Sequence, residues 1–86
     1  MESSRSPVRL TLYARRYCHL CEEMLAALET IRAEHEFEID IVDVDLSEAL
    51  EHRYGELVPV LAHGESTLCH YFLDRSAVTA YLAAFR

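Results

Sequence analysis

The chain has 86 residues, 51% of them hydrophobic, and a formal net charge of −7, which suits one small domain and leaves no room for a second. That charge, carried against eight basic residues that are all arginine, excludes the clustered cations of a nucleic-acid binder and does not favour an anionic membrane surface. No run of about 18 apolar residues is present, and "MESSRSP" lacks the apolar core of a secretory signal, so a cytoplasmic protein is the expectation.

Residues 1–7 end in Ser6-Pro7 and read as a loose leader to a single domain over residues 8–86. In "VRLTLYA", Val8, Leu10 and Leu12 alternate with Arg9, Thr11 and Tyr13, the period of a strand with one face buried. From Leu20 the period becomes helical. Leu20, Met24, Leu28 and Ile31, joined by Ala27, form one stripe, with Glu22, Glu29, Arg32 and Glu34 opposite. "FEIDIVDV" is the next strand, apolar on both faces through Phe37, Ile39 and Ile41, then Val42 and Val44; this predicts an interior strand. Asp45 and Glu48 resemble a capping box opening the helix "LSEALEHRY", which Gly55 closes in a left-handed conformation. "VLAH" and "STLCHYF", separated by Gly64-Glu65, predict a β-hairpin. Asp74 caps a last helix with an apolar stripe of Val78, Tyr81, Leu82 and Phe85.

The order is therefore β-α-β-α-β-β-α. A right-handed crossover makes the first two strands parallel, and the hairpin extends the sheet antiparallel. This is the order of the thioredoxin fold, an α/β class with a four-stranded mixed sheet flanked by helices.

The three cysteines are an odd count for a chain expected in a reducing compartment, which favours catalysis or metal binding over a structural disulfide framework. Cys18 stands where the first strand has ended and the helix begins. Free backbone N–H groups and the positive end of the helix dipole stabilise a thiolate at that turn, and thiols in such motifs have pKa values lowered to roughly 3.5–7.5. Cys18 is the candidate nucleophile. The i, i+3 spacing puts Cys21 on the same helical face, where it can attack a mixed disulfide formed at Cys18. Arg15 and Arg16 favour the thiolate, while Glu22 and Glu23 oppose it. A protonated His19 would support the thiolate too, although the helix dipole disfavours its protonation; otherwise it is an exposed first-turn residue.

Val58-Pro59 opens a strand, one of the few sheet positions that proline tolerates, and a cis bond fits there. In a thioredoxin-type fold this loop lies against the cysteine pair, and the backbone before a cis proline is free to pair with an extended thiol substrate. An ordinary strand-initiating proline is the alternative.

With "LYARRYCHLCEE" at residues 12–23 and "YGELVPVL" at 54–61, the chain resembles the glutaredoxins, and more closely the short bacterial glutaredoxin-like proteins, over about residues 8–85. The resemblance implies a redox-active dithiol with Cys18 as nucleophile and Cys21 as resolving thiol. It implies Pro59 as the cis-proline, with Val58 offering its backbone to the substrate. Arg15 stands where glutaredoxins often hold a lysine that meets a glutathione carboxylate. No prosthetic group is implied, and the implied partners are protein or small-molecule disulfides, with glutathione as co-substrate. Two departures speak against glutathione. His19-Leu20 replaces the usual Pro-Tyr between the cysteines, and the usual Gly-Gly falls at Cys69-His70, where side chains obstruct close backbone approach.

Cys69 has three readings: an apolar strand residue, a third redox thiol able to pair with Cys18, or a metal ligand. Cys18, Cys21, Cys69 and His70 are the ligand types of a Cys3His zinc site, but adjacent strand residues point to opposite faces and reach one metal only through a bulge. His35, His52 and His63 read as solvated, and Asp40, Asp43 and Asp45 as strand edge and cap. Two function classes follow: a dithiol oxidoreductase, or a non-catalytic thioredoxin-fold module that binds a partner or holds metal through Cys18, Cys21 and Cys69. A monomer is the default for so small an acidic domain.

Overall fold

Alternation along the first strand sends Leu10, Leu12 and Ala14 into the core, and the strand they define is the spine on which the rest is built. The computed structural model describes residues 8–84. The leader expected over residues 1–7 and the Phe85 contact of the last helix lie outside the described residues. In chain order the elements are β1 (Val8–Ala14), α1 (His19–Arg32), β2 (Phe37–Asp43), a 3₁₀ turn (Val44–Leu46), α2 (Glu48–Tyr54), β3 (Val60–His63), β4 (Ser66–His70) and α3 (Arg75–Ala83).

The sheet runs β2-β1-β3-β4. β1 and β2 are parallel, with Leu10 opposite Ile39. β3 runs antiparallel to both β1 and β4, with Leu12 opposite Leu61 and Leu61 opposite Cys69. This is the expected thioredoxin-fold arrangement. β2, however, is an edge strand rather than an interior one. The crossover through α1 sets it beside β1, the hairpin takes the other side of β1, and no later strand reaches its outer edge. Its apolar residues divide accordingly: Phe37 is buried, Ile41 is 58% exposed, and Val44 leaves the strand for the 3₁₀ turn. Arg9 meets Asp40 across β1 and β2 at 2.9 Å.

Each sheet face carries its own cluster. On one, Leu10, Leu12, Phe37 and Leu61 pack under Met24, Leu28 and Ile31 of α1 and Val78 and Leu82 of α3. On the other, Val44, Tyr54 and Val60 pack with Tyr13, Leu50 and Val58, and the Tyr13 and Tyr54 rings stack with centroids 4.2 Å apart. At roughly 1.5–3 kcal/mol per fully buried aliphatic side chain, the first cluster is the larger source of stability.

Helix boundaries differ from the expected ones in instructive ways. α2 is capped by Ser47, whose Oγ accepts the Leu50 N–H at 3.3 Å, and not by Asp45. The chain leaves β2 through the 3₁₀ turn, where the Asp43 carboxylate accepts the Asp45 N–H at 2.9 Å, and this moves the helix start along by two residues. Gly55 ends α2 with φ −54°, a right-handed conformation. Its requirement is space, since a Cβ there would run into the carbonyl oxygen and carboxylate of Glu51. Gly64, with φ +62°, supplies the left-handed residue of the hairpin turn. β4 stops at His70 rather than continuing to Phe72, because Tyr71 adopts φ +65° and breaks the pleat. Asp74 caps α3 as expected, accepting the Ala77 N–H at 3.1 Å.

Candidate active site

β1 delivers the chain to the edge of the sheet, and Arg15, Arg16 and Tyr17 turn it into α1. Tyr17 takes φ +57°, a conformation that a bulky residue adopts rarely, and the turn leaves Cys18 extended at the N-cap of the helix. A cysteine thus fills the place usually held by serine or aspartate. Its Sγ accepts the Cys21 N–H at 3.1 Å, one of the donors that a helix start leaves without intrahelical partners.

Cys18 and Cys21 are joined as a disulfide, their Cα atoms 5.2 Å apart. The two sulfurs are unequal in access. Cys21 is 6% exposed on the inner stripe of α1, with Met24, Leu28 and Ile31, while Cys18 is half-buried at the rim. An incoming group meets Cys18 first, and Cys21 is shielded by its own helix.

The remaining sequence-predicted residues are placed as follows. Arg15 is drawn into two ion pairs, Nε with Asp45 at 3.2 Å and Nη2 with Glu51, so its charge is shared with the turn after β2 and with α2. Arg16 is exposed. His19 is mostly exposed, and its Nε2 meets Glu23 at 2.7 Å one turn along the helix. Leu20 is half-buried. The Val58-Pro59 bond is cis, Pro59 is fully buried, and Val58 packs into the second cluster. Because Val60 lies opposite Tyr13 near the end of β1, this loop sits at the same end of the sheet as the cysteine turn.

Cys69 lies on the inner face of β4 against the first core cluster and is a free thiol. Burial pushes its pKa up, and the nearby Asp74 charge adds to this against a hydrogen bond from the Asp74 backbone. His70 is exposed, its ring edge-on to Tyr71 at 4.8 Å. The β-bulge in this hairpin falls at Leu68, before the pair, so it does not swing Cys69 and His70 to one side. Among the described residues no three or more His, Cys, Asp or Glu side chains are grouped to hold a metal ion. The structure therefore does not gather Cys18, Cys21 and Cys69 into a ligand set. His52 is exposed and His35 half-buried. His63 differs from its expected solvation: its Nδ1 is 2.5 Å from the Tyr81 hydroxyl.

Sequence reasoning missed the counterions of Arg15 and the part played by Tyr71 and Phe72. Tyr71 donates its N–H to the Pro59 carbonyl at 2.9 Å and its hydroxyl to the Glu56 carbonyl at 2.8 Å. The strand expected over "STLCHYF" absorbed both aromatics, which the structure places after β4 and before the Asp74 cap.

Residues 9–83 match the family model of the glutaredoxin-like domain (DUF836). The chain is similar to the solution structure of protein Ne2328 from Nitrosomonas europaea, at 40% identity and a TM-score of 0.82 over 95% of this chain and 99% of that one. It is also similar to the crystal structure of protein XcR50 from X. campestris, at 37% identity and a TM-score of 0.71 over 87% and 96% of the two chains. A mutant thioredoxin from Halobacterium salinarum NRC-1, at 24% identity and a TM-score of 0.59 over 90% of this chain and 73% of that one, shares the fold. No curated protein matches the chain. Among the described residues no helix is long and apolar enough to cross a membrane.

Proposed function

Because this chain belongs to the glutaredoxin-like domain family, we propose that it is a thiol–disulfide oxidoreductase working through Cys18 and Cys21. The observation that carries the reading is the unequal pair at the start of α1, a half-buried Cys18 whose sulfur faces the Cys21 amide and a shielded Cys21 behind it. In the reduced protein, that amide and the helix dipole favour the Cys18 thiolate. The thiolate attacks one sulfur of a substrate disulfide. A Cys18–substrate bond forms, the substrate S–S bond breaks, and the other half leaves as a thiolate. Cys21 then attacks the Cys18 sulfur, forming the intramolecular disulfide and releasing the second half, so that two electrons pass from protein to substrate.

The substrates of this reading are protein or small-molecule disulfides. Glutathione is the less favoured of these, since Arg15, the residue that would meet its carboxylate, is already held by Asp45 and Glu51.

The test is intact mass across a glutathione redox titration, with Cys21→Ser beside the wild type. A reversible Cys18–Cys21 disulfide forming within the cytosolic range of about −220 to −320 mV is expected, with a covalent adduct at Cys18 in the variant. If both proteins remain fully reduced and carry no adduct, the enzyme reading fails and a non-catalytic binding module takes its place.

A further inference from the structure

A groove of about 240 Å³ lies along α1, which begins just after Cys18 and carries Cys21, with Leu20, Met24 and Ala27 of that helix and Tyr71, Phe72 and Leu73 lining it. Its far wall is preformed. Tyr71 is tied to the carbonyls of Pro59 and Glu56, and the Phe72 N–H is donated to the His70 carbonyl at 2.7 Å. Phe72 is nevertheless 67% exposed, a large apolar ring on open surface that the protein's own core does not use.

The single charged residue lining the groove is an acid, Glu23. It pairs with His19, and the exposed Glu22 precedes it in the same turn. No cation lines the groove. A dianion such as oxidised glutathione is opposed there, while an apolar side chain flanked by positive charge is complementary. Distance selects a polypeptide. Met24 lies six residues beyond Cys18, about 9 Å along the helix at 1.5 Å per residue, which an extended chain covers in two or three residues.

Resting on the oxidoreductase reading, we infer that this groove selects polypeptide disulfides that carry a large apolar side chain two or three residues from the reactive cysteine, with a basic residue next to it. The apolar side chain lies against Phe72 over a floor formed by the buried Met24, and the basic residue meets Glu23. The substrate disulfide accepts the two electrons of the Cys18–Cys21 dithiol as already described.

The experiment measures second-order rates for the pre-reduced full chain with four disulfides. These are a symmetric peptide disulfide with Phe two residues from its cysteine and Arg beside the Phe, the same peptide with both replaced by Ala, oxidised glutathione, and bis(hydroxyethyl) disulfide. The Phe-Arg peptide is expected to react at least about tenfold faster than the Ala peptide, a modest discrimination for an apolar pocket, and faster than oxidised glutathione. Phe72→Ala is expected to bring the peptide ratio close to one, and Glu23→Gln to lower it. A ratio taken on one preparation does not depend on the fraction of active protein. Equal peptide rates in the wild type, or a ratio that Phe72→Ala leaves intact, would overturn the inference while reduction of bis(hydroxyethyl) disulfide still upheld the oxidoreductase reading. If no disulfide is reduced, that reading fails and the groove inference falls with it.

Discussion

At the residue scale, the three cysteines differ by what surrounds their sulfurs. Cys18 faces an amide at a helix start, Cys21 lies within the helix stripe, and Cys69 is half-buried against the first core cluster beside Asp74. Burial favours the neutral thiol of Cys69, and burial together with the stacked Tyr54 raises the pKa of the Tyr13 phenol. Both groups have folded pKa values above their unfolded ones. Their contribution to stability is therefore complete below about pH 8.5 for the thiol and about pH 10 for the phenol, and is lost as pH rises through the folded values. Urea denaturation across pH 7–11 should show stability falling in the alkaline range, with Cys69→Ala losing less than the wild type over the first part of the fall. In the oxidised protein, Cys69 should alkylate slowly at neutral pH, as read by mass after iodoacetamide. Rapid labelling there would contradict its placement on the inner face of β4.

At the scale of elements, caps decide where helices begin. Ser47 satisfies an α2 amide directly, whereas Asp45 points its carboxylate to Arg15. Ser47→Ala should accordingly cost about 1 kcal/mol, and Asp45→Ala well under that, as expected for a half-exposed ion pair; chemical denaturation of the two variants compares them. The reverse ranking would restore Asp45 as the cap. For α1 the core face sets the magnitude. Leu28 is fully buried between the sheet and its own helix stripe, and Leu28→Ala should cost roughly 2–5 kcal/mol. The elements themselves were legible because their periods are local. β1, α1, the Gly64 turn of the hairpin and the Asp74 cap of α3 stand where alternation, stripe and turn residues put them, while Asp45 misled because the 3₁₀ turn that displaced it has no apolar period to read.

At the scale of the whole molecule, β1 and β3 are flanked on both sides, while among the described residues β2 and β4 each keep one open edge. Amides of β1, Leu10 and Leu12 among them, should therefore be the slowest to exchange with solvent, and outward-facing amides of β2 markedly faster. Exchange measured by NMR decides this. Equal protection across the two strands would argue that another chain covers the β2 edge. The same topology brings the Val58-Pro59 loop to the end of the sheet where the chain turns into Cys18, and it carries Tyr71 and Phe72 to the flank of α1.

The sequence by itself determined the strands and helices, the thioredoxin-fold order, and the position of Cys18 at a helix start with Cys21 one turn behind. These depend on neighbours within a few residues, through side-chain periodicity and the unpaired amides of a first turn. Only the tertiary structure decided that β2 lies at an edge, that Asp45 and Glu51 hold Arg15, and that Phe72 closes an apolar groove over Met24. Each of those is a contact between segments far apart in the chain, and burial and charge pairing between such segments exist only once the sheet has set them side by side.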